Sequence, residues 1–108
     1  MGRAPAAIAF AVTGPIARDD LPGLCARVCA LLDENRGAEV AYCDVRGVDV
    51  TAATVDALAR LQLAARHYGC RIRLRHASEE LLGLVSLMGL EDVLPAQRAR
   101  GPKTRTLC

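Results

Sequence analysis

The sequence predicts an α/β fold: a single mixed, largely parallel β-sheet with α-helices packed mainly on one face. Three observations predict it. Compact apolar runs alternate with stretches of helical spacing, the order that yields parallel strands joined by right-handed crossovers. The run 70–76, "CRIRLRH", alternates strictly, with Cys70, Ile72, Leu74 and His76 on one side and Arg71, Arg73 and Arg75 on the other. One face of its sheet is therefore wet. Finally, 52% of the 108 residues are apolar, enough to bury the core of one domain.

Each element follows from local chemistry. Residues 6–12, "AAIAFAV", interleave Ile8, Phe10 and Val12 with alanines and read as a strand with two unequal faces. "TGP" at 13–15 is a turn, and Ile16 is placed in a short second strand. Asp19 or Asp20 then caps a helix, with Pro22 in the first turn where its missing donor is harmless. Leu24, Val28, Leu31 and Leu32 line its inner side, Cys25 and Cys29 sit beside them, and the helix ends near Asn35, ahead of Gly37. "AEVAYCDV" at 38–45 reads as a central strand closed by Asp44 and Gly47.

A second helix runs through "TVDALARLQLAARHYG". Val55, Leu58, Leu61 and Ala65 face inward, with Gln62 or Leu63, and Gly69 stands at its left-handed end. After the arginine strand, Ser78 caps a third helix with Glu79 and Glu80 in its first turn. Leu81, Leu82, Leu84, Val85, Leu87 and Met88 supply its apolar side, and Gly89 with Leu90 predicts a Schellman ending. Residues 1–95 are expected to form this domain, and 96–108, with Arg98, Arg100, Lys103 and Arg105, a basic disordered tail.

Composition removes several function classes. Aromatic residues are 3% and Trp is absent, so stacking platforms for bases are lacking and no nucleic-acid partner is expected. No run approaches the roughly 20 apolar residues of a membrane span, and the N-terminal apolar run reads as a strand rather than a leader. The five cysteines, an odd number spread along the chain, do not read as a disulfide framework. They read as small buried thiols of a reducing compartment, and a cytoplasmic location is expected. Cys25 and Cys29 share a helix face without further ligands, and Asp44 with Asp49 supplies too few oxygens for Mg²⁺. No metal or cofactor is expected. His67 and His76 have no nucleophile and orienting carboxylate beside them in sequence, and no glycine-rich phosphate loop is present. An enzyme is therefore not expected.

The stretches "VAYCDVRGV", "TVDALARLQLAARHYG", "CRIRLRHAS" and "LLGLVSLMGLEDVLP" occur in an order and spacing that resemble the STAS family, best over 38–94. This is the fold of anti-sigma factor antagonists and of the cytoplasmic ends of sulfate transporters. The resemblance implies a regulatory protein–protein binding module, an antagonist that docks on an anti-sigma factor or serine kinase-like regulator. In such antagonists a Ser or Thr at the helix entrance is phosphorylated and docking is lost. A helix N-terminus tolerates the phosphate, while its charge disrupts a packed interface. Counted back from Leu58, the phosphorylated position falls on Ala53, which has no hydroxyl; the family's Asp falls on Thr51 and its Gly on Thr54. Thr54 and Thr51 are the substitute hydroxyls, both also explained as cap and first-turn residues. The partner-binding surface implied is Arg46, Gly47, Asp49, Thr51, Ala52, Ala53, Thr54, Asp56 and Arg60. An alternative reading is a ligand-sensing or scaffold module of the same type that holds a small anion, nucleotide or lipid beside Arg71, Arg73 and Arg75.

Overall fold

The computed structural model describes residues 7–96. Strand β1 (Ala7–Gly14) leads through a single 3₁₀ turn (Arg18–Asp20) to helix α1 (Leu21–Glu34). Strand β2 (Val40–Val48), helix α2 (Ala52–Arg66), strand β3 (Arg71–Arg75) and helix α3 (Glu79–Leu87) follow. The sheet is parallel throughout, in the order β1-β2-β3. The expected short second strand at Ile16 is not there. Pro15 and a lone apolar residue give too short a run for a strand, and the chain turns into the 3₁₀ helix with Ile16 buried at its entrance.

Each connection steps to the next strand in the same direction. Right-handed crossovers then put every helix on the same side of the sheet. Burial agrees: Val12, Ala41, Cys43, Val45, Ile72 and Leu74 are buried, while Ala9, Ala11 and Arg71 on the opposite face are exposed. Parallel sheets are usually covered on both faces; among the described residues this one has an open face, crossed by Arg71, Arg73 and Arg75. There the Arg75 guanidinium stacks 4.3 Å from the centre of the Tyr42 ring. Under the covered face, Leu24, Val28 and Leu32 of α1 meet Val55, Leu58, Leu61 and Ala65 of α2 and Leu81 and Val85 of α3.

The caps explain where the helices begin and end. Thr51 and Ser78 are extended N-caps whose hydroxyls accept from the amides of Thr54 and Leu81, each at 3.1 Å. Asp20 caps differently: its carboxylate accepts from the Ala17 amide, closing the 3₁₀ turn rather than α1. Gly89, at φ +75°, lets the Leu90 amide reach back to the Val85 carbonyl at 2.9 Å, the Schellman ending that the sequence predicts.

Three side chains, Leu87, Met88 and His76, are placed differently from expectation. Leu87 is 83% exposed and Met88 38% exposed, because α3 stops at nine residues and buries only the i, i+4 stripe of Leu81 and Val85. His76 does not continue the buried side of β3. Its backbone enters the left-handed region, φ +62°, and turns the ring out toward Asp44. Between Gln62 and Leu63, the inward residue is Gln62; Leu63 is 55% exposed.

Gln62 closes the outer edge of β3. Its side-chain oxygen accepts from the Ile72 amide at 2.8 Å, and its nitrogen donates to the carbonyls of Ile72 at 3.0 Å and Val93 at 2.7 Å. One residue pair further along, the Leu74 amide donates to the Pro95 carbonyl at 2.9 Å, and Ala96 pairs with Leu74 in a parallel bridge. A side-chain amide and a short piece of chain thus stand in for a fourth strand. Ala96, expected at the head of the tail, belongs to this closure; residues 97–108 lie outside the described residues.

Candidate functional site

The β2–α2 connection rises from the end of the middle strand, where a parallel sheet presents its loops. Arg46, Gly47, Asp49, Thr51, Ala52 and Ala53 are exposed there, and so are Asp56 and Arg60 along α2. Thr54 is fully buried. Its hydroxyl accepts from the Thr51 hydroxyl at 3.1 Å, and its amide is held by the same oxygen. The two hydroxyls at the entrance are thus a cap and a core residue, and only Thr51 meets solvent.

Helical spacing aligns Ala52, Ala53, Asp56 and Arg60 on one side of α2. They form one wall of a shallow groove of about 370 Å³. Its other wall comes from the 3₁₀ approach (Ile16, Ala17, Arg18), Leu21 and the end of α3 at Met88. Asp56 and Arg60 pair at 2.9 Å along the helix, one turn apart. The groove is lined by Ala17, Ala52, Ala53 and Ala57, with the Asp56–Arg60 ion pair and Arg18 beside them. Such a surface suits a protein segment with a short apolar ridge flanked by charge. The approach residues and Met88 come from distant parts of the chain, and no local signal in the sequence ties them to α2.

The predicted surface does not hold together as one patch. Arg46 leans over the open face and belongs to a second cluster with Asp44 and His76. The Asp44 carboxylate accepts from the Arg46 amide at 2.9 Å, and its other oxygen lies 3.2 Å from Nδ1 of His76. The Arg46 guanidinium sits 2.9 Å from that same Nδ1 and 3.6 Å from the carboxylate. The Arg46 amide, then the His76 and Arg46 side chains, hold the Asp44 carboxyl below its ordinary range. Gly47 serves the sheet: a Cβ there would meet Cγ2 of Thr13 at 3.2 Å, beside the register shift between Ala11 and Thr13.

No group of three or more His, Cys, Asp or Glu that could hold a metal ion occurs among the described residues. Asp44 is engaged as above. The described cysteines, Cys25, Cys29, Cys43 and Cys70, are free thiols. Cys43 lies fully enclosed in the middle strand, and burial, helped by the neighbouring Asp44 charge, pushes its thiol up to about 12. Burial also raises Cys25, with Cys29 one turn away adding to it. Burial raises the Cys70 thiol too, so Cys25, Cys43 and Cys70 lack the depressed pKa of a nucleophile. Among the described residues no helix is long and apolar enough to cross a membrane. No protein-family model matches the chain, and no curated protein matches it in sequence.

Proposed function

We propose that this chain is a cytoplasmic regulatory binding module that docks a partner protein on the groove at the entrance of α2, as an anti-sigma factor antagonist without the usual phosphorylatable Ser. One observation carries the reading: Ala53 stands exposed in the first turn of α2 at the rim of that groove, where the resembling family places its switch hydroxyl. The first-turn amides of a helix have no intrahelical acceptor, so the tip can receive carbonyl or carboxylate groups of a partner. With a methyl group at Ala53 and Thr54 enclosed, docking is constitutive.

Calorimetry or co-elution against a panel of anti-sigma serine kinases tests this. Complex formation by the native chain, weakened at least about tenfold by Asp56→Arg, is the expected outcome, in line with the effect of misplacing a charge in an interface. Absence of a complex with every member of the panel would reject it. Ala53→Ser restores a hydroxyl at an exposed first-turn position. It is expected to accept phosphate from the bound kinase and then to release it, whereas Thr51→Ala/Thr54→Ala leaves phosphate incorporation at the background of the native chain.

The row Arg71, Arg73 and Arg75 on the uncovered sheet face supports the second reading, a small anion, nucleotide or lipid held without a protein partner. Thermal stabilisation by such a ligand alone, abolished by Arg73→Ala, favours that reading over the first.

A further inference from the structure

We propose that the free edge of β1 is a self-association surface, on which two copies of this chain pair their β1 strands antiparallel about a two-fold axis and join two sheets into one of six strands. The inference is independent of what docks at α2. It starts from the fact that β1 is the outermost strand and that none of its outward backbone groups meets a hydrogen-bonding partner among the described residues. Alternate residues of such a strand present N–H and C=O outward, a template for another strand.

Natural edge strands are usually blunted by charge, proline or shortness. Strand β1, "AIAFAVTG", has eight residues, no charge and no proline. Its one irregularity, between Ala11 and Thr13, lies toward the C-terminal end and leaves Ala7–Ala11 in regular register.

A second observation lies beside the edge. Between β1 and α1 runs a groove of about 560 Å³ lined by Phe10, Val12, Ile16, Leu24, Val28 and Leu31, and also by the charged Asp19, Asp20 and Arg27. Phe10 and Ile8 point to the covered side of the sheet yet remain half-exposed, because α1 does not reach over them. A strand added at the edge would carry its own inward side chains over this groove.

A second copy fits on three grounds. A two-fold axis between antiparallel strands makes the contact self-complementary and closes it at two molecules. An uncharged strand does not repel its own copy, and it brings the half-exposed Ile8 and Phe10 toward the facing groove. The size suits a weak, reversible contact: eight residues at about 3.4 Å each along an edge about 10 Å deep give roughly 540 Å² for the pair, in the range of transient encounters.

Sedimentation velocity of the full chain under reducing conditions, from a few to several hundred micromolar, tests the proposal. The mass should climb from 11.5 kDa toward twice that value. Ala9→Lys/Ala11→Lys, at two exposed positions of β1, should weaken association at least tenfold. Mixing that variant with Ala9→Glu/Ala11→Glu should restore it. A native chain that stays at 11.5 kDa at the highest concentration overturns the proposal. So does a lysine variant that associates like the native chain, or a mixture that stays monomeric. Should the variants fail to fold, amide exchange of the native chain decides. Alternate β1 amides must slow as concentration rises, and unchanged exchange there rejects the proposal.

Discussion

The two edges of this sheet are built differently. At β3, the Gln62 amide, the Pro95 carbonyl and Ala96 engage the outward backbone groups of Ile72 and Leu74. At β1, an uncharged strand faces outward beside the groove between β1 and α1. The difference teaches that the requirement to satisfy a sheet edge can be met within the chain by a side-chain amide and a short piece of backbone. Where it is not met within the chain, it becomes a property of the molecule's surface. The winding explains the asymmetry. Because every crossover advances the same way, the helices and the segment following α3 accumulate toward β3, and nothing later in the described chain returns to β1.

The comparison can be broken most forcefully at Gln62. Gln62→Leu keeps the volume but leaves the Ile72 amide and two carbonyls unpaired beneath the surface. Destabilisation of about 3 kcal/mol is expected, measured as a shift of the urea midpoint; an unchanged midpoint would show that the β3 edge does not need its amide. Amide exchange sharpens the contrast next. In dilute solution the Ile72 and Leu74 amides should exchange orders of magnitude more slowly than alternate amides of β1. Equal rates at the two edges would dissolve the distinction.

Smaller effects follow at greater distance. Ser78→Ala removes the cap of the helix that delivers residues 93–96 to β3 and should cost about 1 kcal/mol, with the Leu74 amide losing protection along with α3. The smallest is acid-dependent. Asp44 titrates below its ordinary range in the folded chain. Its contribution is therefore complete above the ordinary carboxylate pKa and is lost as pH falls through the lower folded value. Asp44→Asn should flatten the acid limb of a stability–pH curve below about pH 4 and leave neutral pH nearly unchanged. A native-like acid limb in the variant would assign that limb to other carboxylates.

Much of this architecture was legible in the residues themselves. Alternation at Ile8, Phe10 and Val12, the strict period of 70–75, the caps at Thr51 and Ser78 and the Gly89–Leu90 ending each state a local rule that the fold obeys. What escaped was set by contacts between distant segments. A helical wheel admits both Gln62 and Leu63 to the inner side; the polar one wins because an open strand edge lies opposite it. Ile16 carries no signal that separates a short strand from a buried turn. The left-handed backbone at His76 leaves no mark in its neighbours, so its ring was assigned to the wrong side of the sheet. At the entrance of α2, sequence spacing brought Ala52, Ala53, Asp56 and Arg60 together. It could not show that Thr54 turns inward, that Arg46 leaves for the open face, or that Met88 completes the groove.

The enclosed thiol of Cys43 gives the molecule a stopwatch of its own. A disulfide reagent can reach that sulfur only when the central strand comes apart, so its labelling rate counts complete openings of the sheet. Cys25 and Cys29, half in solvent on α1, would register the reagent's arrival without waiting for such an event.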